Sequence, residues 1–553
     1  MPRLLTDPYL QWPSETGVYV AWMTTFEGRD HRVVLADGRQ VVAETRKLSR
    51  MAEDADSHIG AQAGDGRLYP RPTPRDIWRH EARVTGLIPG VRLGYHVESR
   101  DGAGALARSA GFTLAPGPRA GQGLRILMTS DHQQKPMTAA NMQRVAGMGG
   151  PLDAVFFAGD LQNVPDRASG WFDDARGTAF FPALQGRAGA EGTGGGQILQ
   201  HAPLFPIIGN HEVMGRYAPD RPLAAQFDDP QPREVAEARL AEEAPPLAPD
   251  ARAAWIADRS FNTTSYEELF TLPEDSPGGR SYYALRLGDI FLIGLYGTRI
   301  WRSPEMGAAT RGKYREAEAD LHRPEAWGWG EFIFEDIARG SAQYDWLDGV
   351  LQSEACRSAP WRVAMMHNAS HGLGDNALPA YAHPVPVEDR DAAGRLTGRR
   401  YVYPRAKDIC IRDVQPLLEA GGVHLLLHGH SHLWNRFVTP GGMHVLETSN
   451  VGNSYGAYLP GQGGRSTAPE DPRFDACDYP RQGDPHGLTP VPPSEFAPQA
   501  GTDGRPLPAL GSNRLSAFTL LETEAGTARV RSYVFDSTRP EAPTRLFDQF
   551  TLG

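Results

Sequence analysis

Five short apolar runs, each breaking off into a cluster of polar residues, restrict the fold of this chain more than any other feature. RILMTS at 125–130 leads into Asp131-His132-Gln133, AVFFAG at 154–159 into Asp160, and LFPIIG at 204–209 into Asn210-His211-Glu212. WRVAMM at 361–366 leads into His367-Asn368, and VHLLLH at 423–428 into Gly429-His430-Ser431-His432. Apolar runs without polar alternation suit strands covered on both faces, or strands at the heart of a two-sheet sandwich. Helical segments fit between some of them, at 137–148, 341–351 and 411–419, the last followed by Gly421-Gly422, which can supply the backbone angles of a helix stop. Buried strands interleaved with helices make this part of the chain α/β. The carboxyl edge of such a sheet collects the loops after its strands into one crevice, so clusters hundreds of residues apart are predicted to converge.

The residue types narrow the chemistry. Carboxylates, an amide oxygen and imidazoles are mixed hard and borderline donors that suit Mn, Fe or Zn, whereas calcium would draw almost wholly on oxygen. A closed zinc site needs four ligands. At least six candidates are present here, enough for two ions about 3.5 Å apart if one carboxylate bridges them. Asp160, after the Gly159 turn, is the natural bridge. Small neighbours Gly429 and Ser431 let His430 and His432 reach different ions.

Ahead of these runs the pattern is different. Over residues 9–113, VYVAWMTT, HRVVLADGRQVV, HEARVTGLIPG and VRLGYHVESRDG alternate between D-G and P-G punctuation, which predicts a small β-sandwich. Val18, Val20 and Trp22 share one strand face, with Trp22 as a core plug, and Leu93, Tyr95 and Val97 share another. Nothing in this module gathers convergent acids, histidines or cysteines, which leaves it a supporting role. APGPRAGQG at 115–123 reads as a linker. The expected division is residues 1–120 and residues 121–553, the second part with insertions near 213–340 and 459–508. The first insertion holds a strand-like stretch at 282–295 and Trp301, Trp327 and Trp329, which fit core packing better than a pocket wall. The second is rich in Pro, Gly and Asp and reads as an irregular excursion near the crevice. SAFTLLETEAGTARVRSYVFD then reads as a two-strand return around an E-A-G-T turn.

Composition excludes several classes. The chain has 553 residues, 40% apolar and 22% charged, and no apolar run long enough to span a bilayer, so neither membrane insertion nor wholesale disorder is expected. A net charge of -11 opposes binding to a nucleic acid backbone. Cys356, Cys410 and Cys477 are widely spaced and read as free, buried thiols. The first residues form no apolar signal segment, which implies a cytoplasmic protein as written, or a periplasmic or secreted one whose leader was removed. Neither a P-loop, a dinucleotide fingerprint nor a nucleophile elbow is present.

The GD, GNHE and GHSH motifs, in this order, resemble those of the calcineurin-like metallophosphoesterase superfamily. The strand-rich start, with PYLQ and TGLIPG, is similar to the fibronectin type III-like module preceding the catalytic domain of purple acid phosphatases. The resemblance covers residues 8–111, 125–455 and 515–534. It implies an α/β protein in which an N-terminal β-sandwich precedes a two-sheet β-sandwich flanked by helices. By position it implies Asp131 at a first ion, Asp160 as bridge, Asn210, His367 and His430 at a second ion, and His432 returning to the first. His211 would lie beside the substrate oxygens and protonate the leaving group.

Two departures from the family pattern stand out. Gln133 occupies the position of the usual histidine in D-x-H, and Asn163 occupies that of the iron-ligating tyrosine. Without a phenolate, a divalent ion is favoured over Fe(III), and the extra ligand of the first ion is open among Gln133, Asn163, His132 and water. Glu212 is a candidate to orient His211 or a metal ligand. Asn368 and His371 are candidates to touch phosphate or leaving group, a loop-stabilising role being the equal alternative, and Arg436 reads as a peripheral salt bridge. The implied activity is hydrolysis of small phosphate esters, monoesters first, by a hydroxide activated between two divalent ions (Mn, Zn or Fe). A phosphodiesterase and a noncatalytic metal-retaining binding protein are the alternatives.

Overall fold

The structure, a computed structural model, describes residues 2–60, 68–189, 193–243, 246–300, 312–465, 471–539 and 541–553. The N-terminal region forms two facing sheets. Tyr9–Ser14, Gly17–Thr24, Trp78–Val84 and Glu44–Lys47 make one, and Leu106–Arg108, Leu93–Arg100, Asp30–Leu35 and Gln40–Val42 the other, with Phe112–Leu114 also pairing Leu93–Arg100. Two-residue alternation turns Val18, Val20 and Trp22 toward Val33, Leu35, Tyr95 and Val97 in one apolar cluster. Trp22 is fully buried there, and its indole N–H donates to Ser99 Oγ at 2.8 Å. One expectation fails. The module does gather histidines, because His31 and His80, on strands of opposite sheets, stack at 3.6 Å in the interior.

Beyond this region the chain is mixed α/β. A six-stranded sheet runs in the order Leu204–Pro206, Ala154–Phe157, Leu124–Thr129, Leu515–Glu524, Thr527–Asp536 and Arg545–Leu552. A seven-stranded sheet runs Tyr283–Leu287, Ile290–Gly294, Trp361–Met365, Leu425–His428, His444–Thr448, Trp434–Val438 and Ala509–Leu510. All five predicted apolar runs are strands of these sheets. The three in the first sheet are mutually parallel neighbours, and the two in the second are parallel to each other.

Their continuous apolarity has a direct cause. Val363, Met365, Leu425 and Leu427 face the core shared with Ile126, Met128 and Val155. Their alternates Ala364, Met366 and Leu426 face Leu347, Leu351 and Leu418 of the covering helices Ala342–Gln352 and Gln415–Ala420. Both faces of each strand are therefore dry. The first of those helices starts where Ser341 Oγ accepts the Tyr344 N–H at 3.1 Å.

Two boundaries differ from expectation. The stretch 282–295 is a hairpin rather than one strand, because Gly288 turns the chain at φ +58°. The return hairpin turns at Ala525 and Gly526, both with positive φ, and a third strand, Arg545–Leu552, follows it. Trp327 is buried and meets Trp329 edge to face at 5.0 Å with Arg399 over it, so this pair packs; Trp301 lies outside the described residues. No helix among the described residues is long and apolar enough to cross a membrane.

Candidate metal centre

The polar clusters do meet. Asp131 and Asp160 follow strands of the first sheet, Asn210 opens a short helical turn after Leu204–Pro206, and His367, His430 and His432 follow strands of the second. All six side chains are buried, none more than 5% exposed. The local backbone is bent to aim them. Asp131, Gln133, Asp160, His430 and His432 all have positive φ, a conformation that costs a bulky residue about 1–3 kcal/mol and persists only where surrounding packing enforces it.

Two motif glycines are required by space. Gly159, at φ +89°, would place a Cβ 2.7 Å from His367 Nδ1, and a Cβ on Gly429 would run into the Asp131 carboxylate. Strand ends of different sheets thus approach too closely for any side chain between them.

One group of three, Asp160, His367 and His430, offers ligand atoms that all lie within 4.8 Å of one another. His367 Nε2 is 3.2 Å from Asp160 Oδ2, 3.1 Å from Asn210 Oδ1 and 3.3 Å from His430 Nδ1. The other nitrogen, Nδ1, is 2.7 Å from the Ala158 carbonyl and must donate to it, which leaves the Nε2 lone pair of a neutral ring pointing into the group. With Nδ1 of His430 also unprotonated, four electron-rich atoms face each other across the group. Such a knot is stable only around positive charge.

The electrostatics say the same. Burial by itself would lower the His367 pKa, but Asp160, with Asp131 and the Ala158 carbonyl, carries it up to about 10. Burial likewise opposes ionisation of Asp160, yet the surrounding histidines hold its carboxyl well below the usual range. His430 is driven well below its ordinary value by burial and then by His367. A divalent cation supplies what a proton on His367 would otherwise have to supply, and the mixed carboxylate, amide and imidazole donors fit one.

Beside this group, His432 Nε2 stands 3.4 Å from Asp131 Oδ1, and Asp131 also accepts the His430 N–H at 3.0 Å. Asp131 is bonded by Ser130 Oγ as well. His432 Nδ1 and Asn210 Nδ2 are buried without a hydrogen-bond partner among the described residues. The His432 ring lies against Tyr455 at 4.9 Å, so a tyrosine from a different loop does stand beside the site, in a stacked rather than end-on pose.

The additional candidates separate. Gln133 reaches the centre, its amide donating to Asp160 Oδ2 at 2.8 Å. Asn163 turns its side chain to Gln134 at 3.4 Å, while its carbonyl accepts from His211 Nδ1 at 2.7 Å. His132 points into the apolar interior, edge-on to Phe157 at 4.6 Å, with Nε2 3.1 Å from Thr129 Oγ1; burial pushes its pKa down to about 3. His211 is anchored by the Asn163 carbonyl and stacked on Phe227 at 5.0 Å, with Nε2 4.0 Å from Asp160 Oδ2.

The Glu212 carboxylate serves backbone donors rather than a histidine ring. It accepts the N–H groups of Asp160, Leu161 and Gly209, each at 2.8 Å, and so ties the second and third strand ends together. Burial and the Asp160 charge push its pKa up to about 8 against those donors. Asn368 accepts from Thr298 Oγ1 at 2.7 Å, and His371 lies between Asp484 at 3.0 Å and Gln415 at 3.1 Å, so both hold loops. Asp484 brings the 459–508 insertion to the loop after His367. Arg436 pairs with Asp548 at 3.0 Å in a buried rather than peripheral bridge.

Sequence reasoning missed Glu447. Its carboxylate accepts the Ser431 N–H at 2.9 Å and the Leu433 N–H at 3.3 Å, and it holds Ser449 Oγ at 2.6 Å and Asn435 Nδ2 at 2.7 Å. It braces the His430–His432 loop as Glu212 braces the loops of the other sheet. A glutamate closing the apolar run HVLET was the available signal.

A family profile described as calcineurin-like phosphoesterase matches residues 124–433. Among solved structures, the chain is similar to a purple acid phosphatase from yellow lupin (Lupinus luteus) seeds, at 13% identity and TM-score 0.52, over 98% of this chain and 73% of that one. It is similar to PhoD at 12% identity and TM-score 0.47, over 99% of this chain and 90% of that one. At such identity the lupin enzyme speaks for the fold alone. No curated protein matches the chain.

Proposed function

The chain belongs to the calcineurin-like phosphoesterase family, whose profile spans more than half of it, and from that premise we propose that it hydrolyses phosphomonoesters of small molecules with two divalent metal ions. The observation that carries the reading is the knot of acceptors around His367 Nε2, which calls for a cation. In this reading Asn210, His367 and His430 would hold one ion and Asp131 and His432 the other, with Asp160 shared between them. Gln133 is the best placed extra ligand, since its amide already touches Asp160 and a turn of that amide would present its oxygen. Manganese, zinc or ferrous iron suits this donor set.

When bound, the ions would polarise the phosphoryl oxygens and lower the pKa of water. The chain's own residues supply the rest. Asn163 fixes Nδ1 of His211 as a donor to its carbonyl, so the proton His211 can exchange with a leaving oxygen sits at Nε2, on the Asp160 side. Phe227 covers one face of that ring and limits its rotation. The N-terminal sandwich, residues 1–120, acts as a fibronectin type III-like support.

The test measures bound metal together with turnover of an aryl phosphomonoester, the matching diester and a cyclic nucleotide, before and after metal removal. Two ions per chain and faster monoester turnover, lost on depletion and regained with metal, are expected. Faster diester turnover would reverse the substrate assignment, and full metal occupancy without any turnover would leave a binding protein.

A further inference from the structure

The chain has a net charge of -11, yet one cavity collects the opposite sign. Arg216, Arg221, Arg239 and Arg259 line an open cavity of about 480 Å³ with Asp229 and Asp258. The carboxylates are engaged already. Asp229 is buried and holds Arg216 at 2.7 Å and Arg221 at 2.6 Å, while Asp258 pairs with Arg50. Arg259 rests on the Trp255 ring at 4.1 Å and has no hydrogen-bond or carboxylate partner among the described residues. With Arg50 behind Asp258 and Glu325 near Arg239, the guanidinium groups still outnumber the carboxylates.

Such walls suit one chemistry. Guanidinium forks match the oxygens of a phosphate group, and forks already held by Asp229 lose little freedom on binding. Short stretches of chain link the cavity to the metal centre. Asp229 is two residues beyond Phe227, whose ring covers His211, and Arg216 is five residues beyond His211, at most about 17 Å along an extended chain.

We propose that this cavity is a second anion site, which binds a phosphate group beside the metal centre. Two sources carry that group: a second phosphate on the substrate, which rests on the phosphoesterase reading, and free inorganic phosphate, which does not.

The variant Arg221→Gln/Arg259→Gln tests it, because Arg216 remains to pair the buried Asp229; Arg259→Gln alone serves if the double variant melts early. In the metal-loaded protein, calorimetry with inorganic phosphate should find two sites per chain, one of them weakened about tenfold or more in the variant. For a substrate with two phosphate groups, KM should rise about tenfold, while a simple aryl phosphate keeps its kcat and KM. A change in KM alone assigns the cavity to the distal phosphate, and loss of the second phosphate site alone assigns it to the free anion. A single phosphate site in the wild type, with KM for the bis-phosphate unchanged in the variant, overturns the proposal. If neither substrate turns over, the phosphoesterase reading fails while calorimetry still decides the cavity.

Discussion

Two histidine pairs in this molecule bring their rings together, with opposite results. In the N-terminal sandwich, His31 and His80 stack at 3.6 Å, and every ring nitrogen has a partner: Ser99 at 2.9 Å and the Glu27 carbonyl at 2.7 Å for one, Thr24 at 2.8 Å and Thr45 at 2.9 Å for the other. Hydroxyl groups can donate or accept, so two neutral rings are satisfied as they stand. In the metal centre, His367 and His430 meet at 5.1 Å and 76°, with carboxylate and amide oxygens turned at their nitrogens. Histidines in contact therefore do not define a metal site. Unsatisfied lone pairs converging with a carboxylate do.

Removing that carboxylate strikes the contrast hardest. Asp160→Asn should lower kcat/KM by roughly a thousandfold or more and reduce the bound metal measured by elemental analysis, because the knot loses its anion. Retained metal and activity would put the two pairs on the same footing. His211→Ala should lower turnover of esters with poor leaving groups by about 10²–10⁴ and of good ones by less, read from paired kinetic assays. An equal loss for both would speak against proton donation.

Glu447→Gln sharpens the comparison from outside the ligand set. It should weaken metal binding about 10–100-fold by loosening the His430–His432 loop, as followed by metal titration. The sandwich pair should respond to acid instead. Burial, then His31 and Arg79, pushes the His80 pKa down to about 2, and burial lowers that of His31. Below the unfolded value of 6.5 the unfolded chain binds more protons, so stability is complete above that pH and falls as pH drops. The slope is about 1.4 kcal/mol per pH unit for each histidine that stays neutral. Tm measured against pH should show it, and His80→Gln should flatten it. The smallest effect belongs to His132→Phe: with the ring already in an aromatic nest, bound metal should not change.

The strand runs and the order of the clusters were legible because they are local. A stretch such as AVFFAG can only be dry on both faces, and a polar break after Gly159 can only be a loop. What was not legible was which way each side chain turns after its strand. Gln133 and His132 are adjacent in the chain, yet one meets Asp160 and the other enters the aromatic core. His31 and His80 are 49 positions apart and looked inert in a module read as support. Glu447 left only the faint signal of an acid closing the apolar run HVLET, although it holds the backbone of the histidine loop.

The sequence by itself determined that buried strands would end in acids, amides and imidazoles, and that metal-ligating residue types were gathered at those ends, because periodicity and residue chemistry need no third dimension. Tertiary structure alone decided which atoms face one another. That choice is made where strands of two sheets end at the same crevice and turn through positive φ, and where the contacts available across the gap fix each side chain.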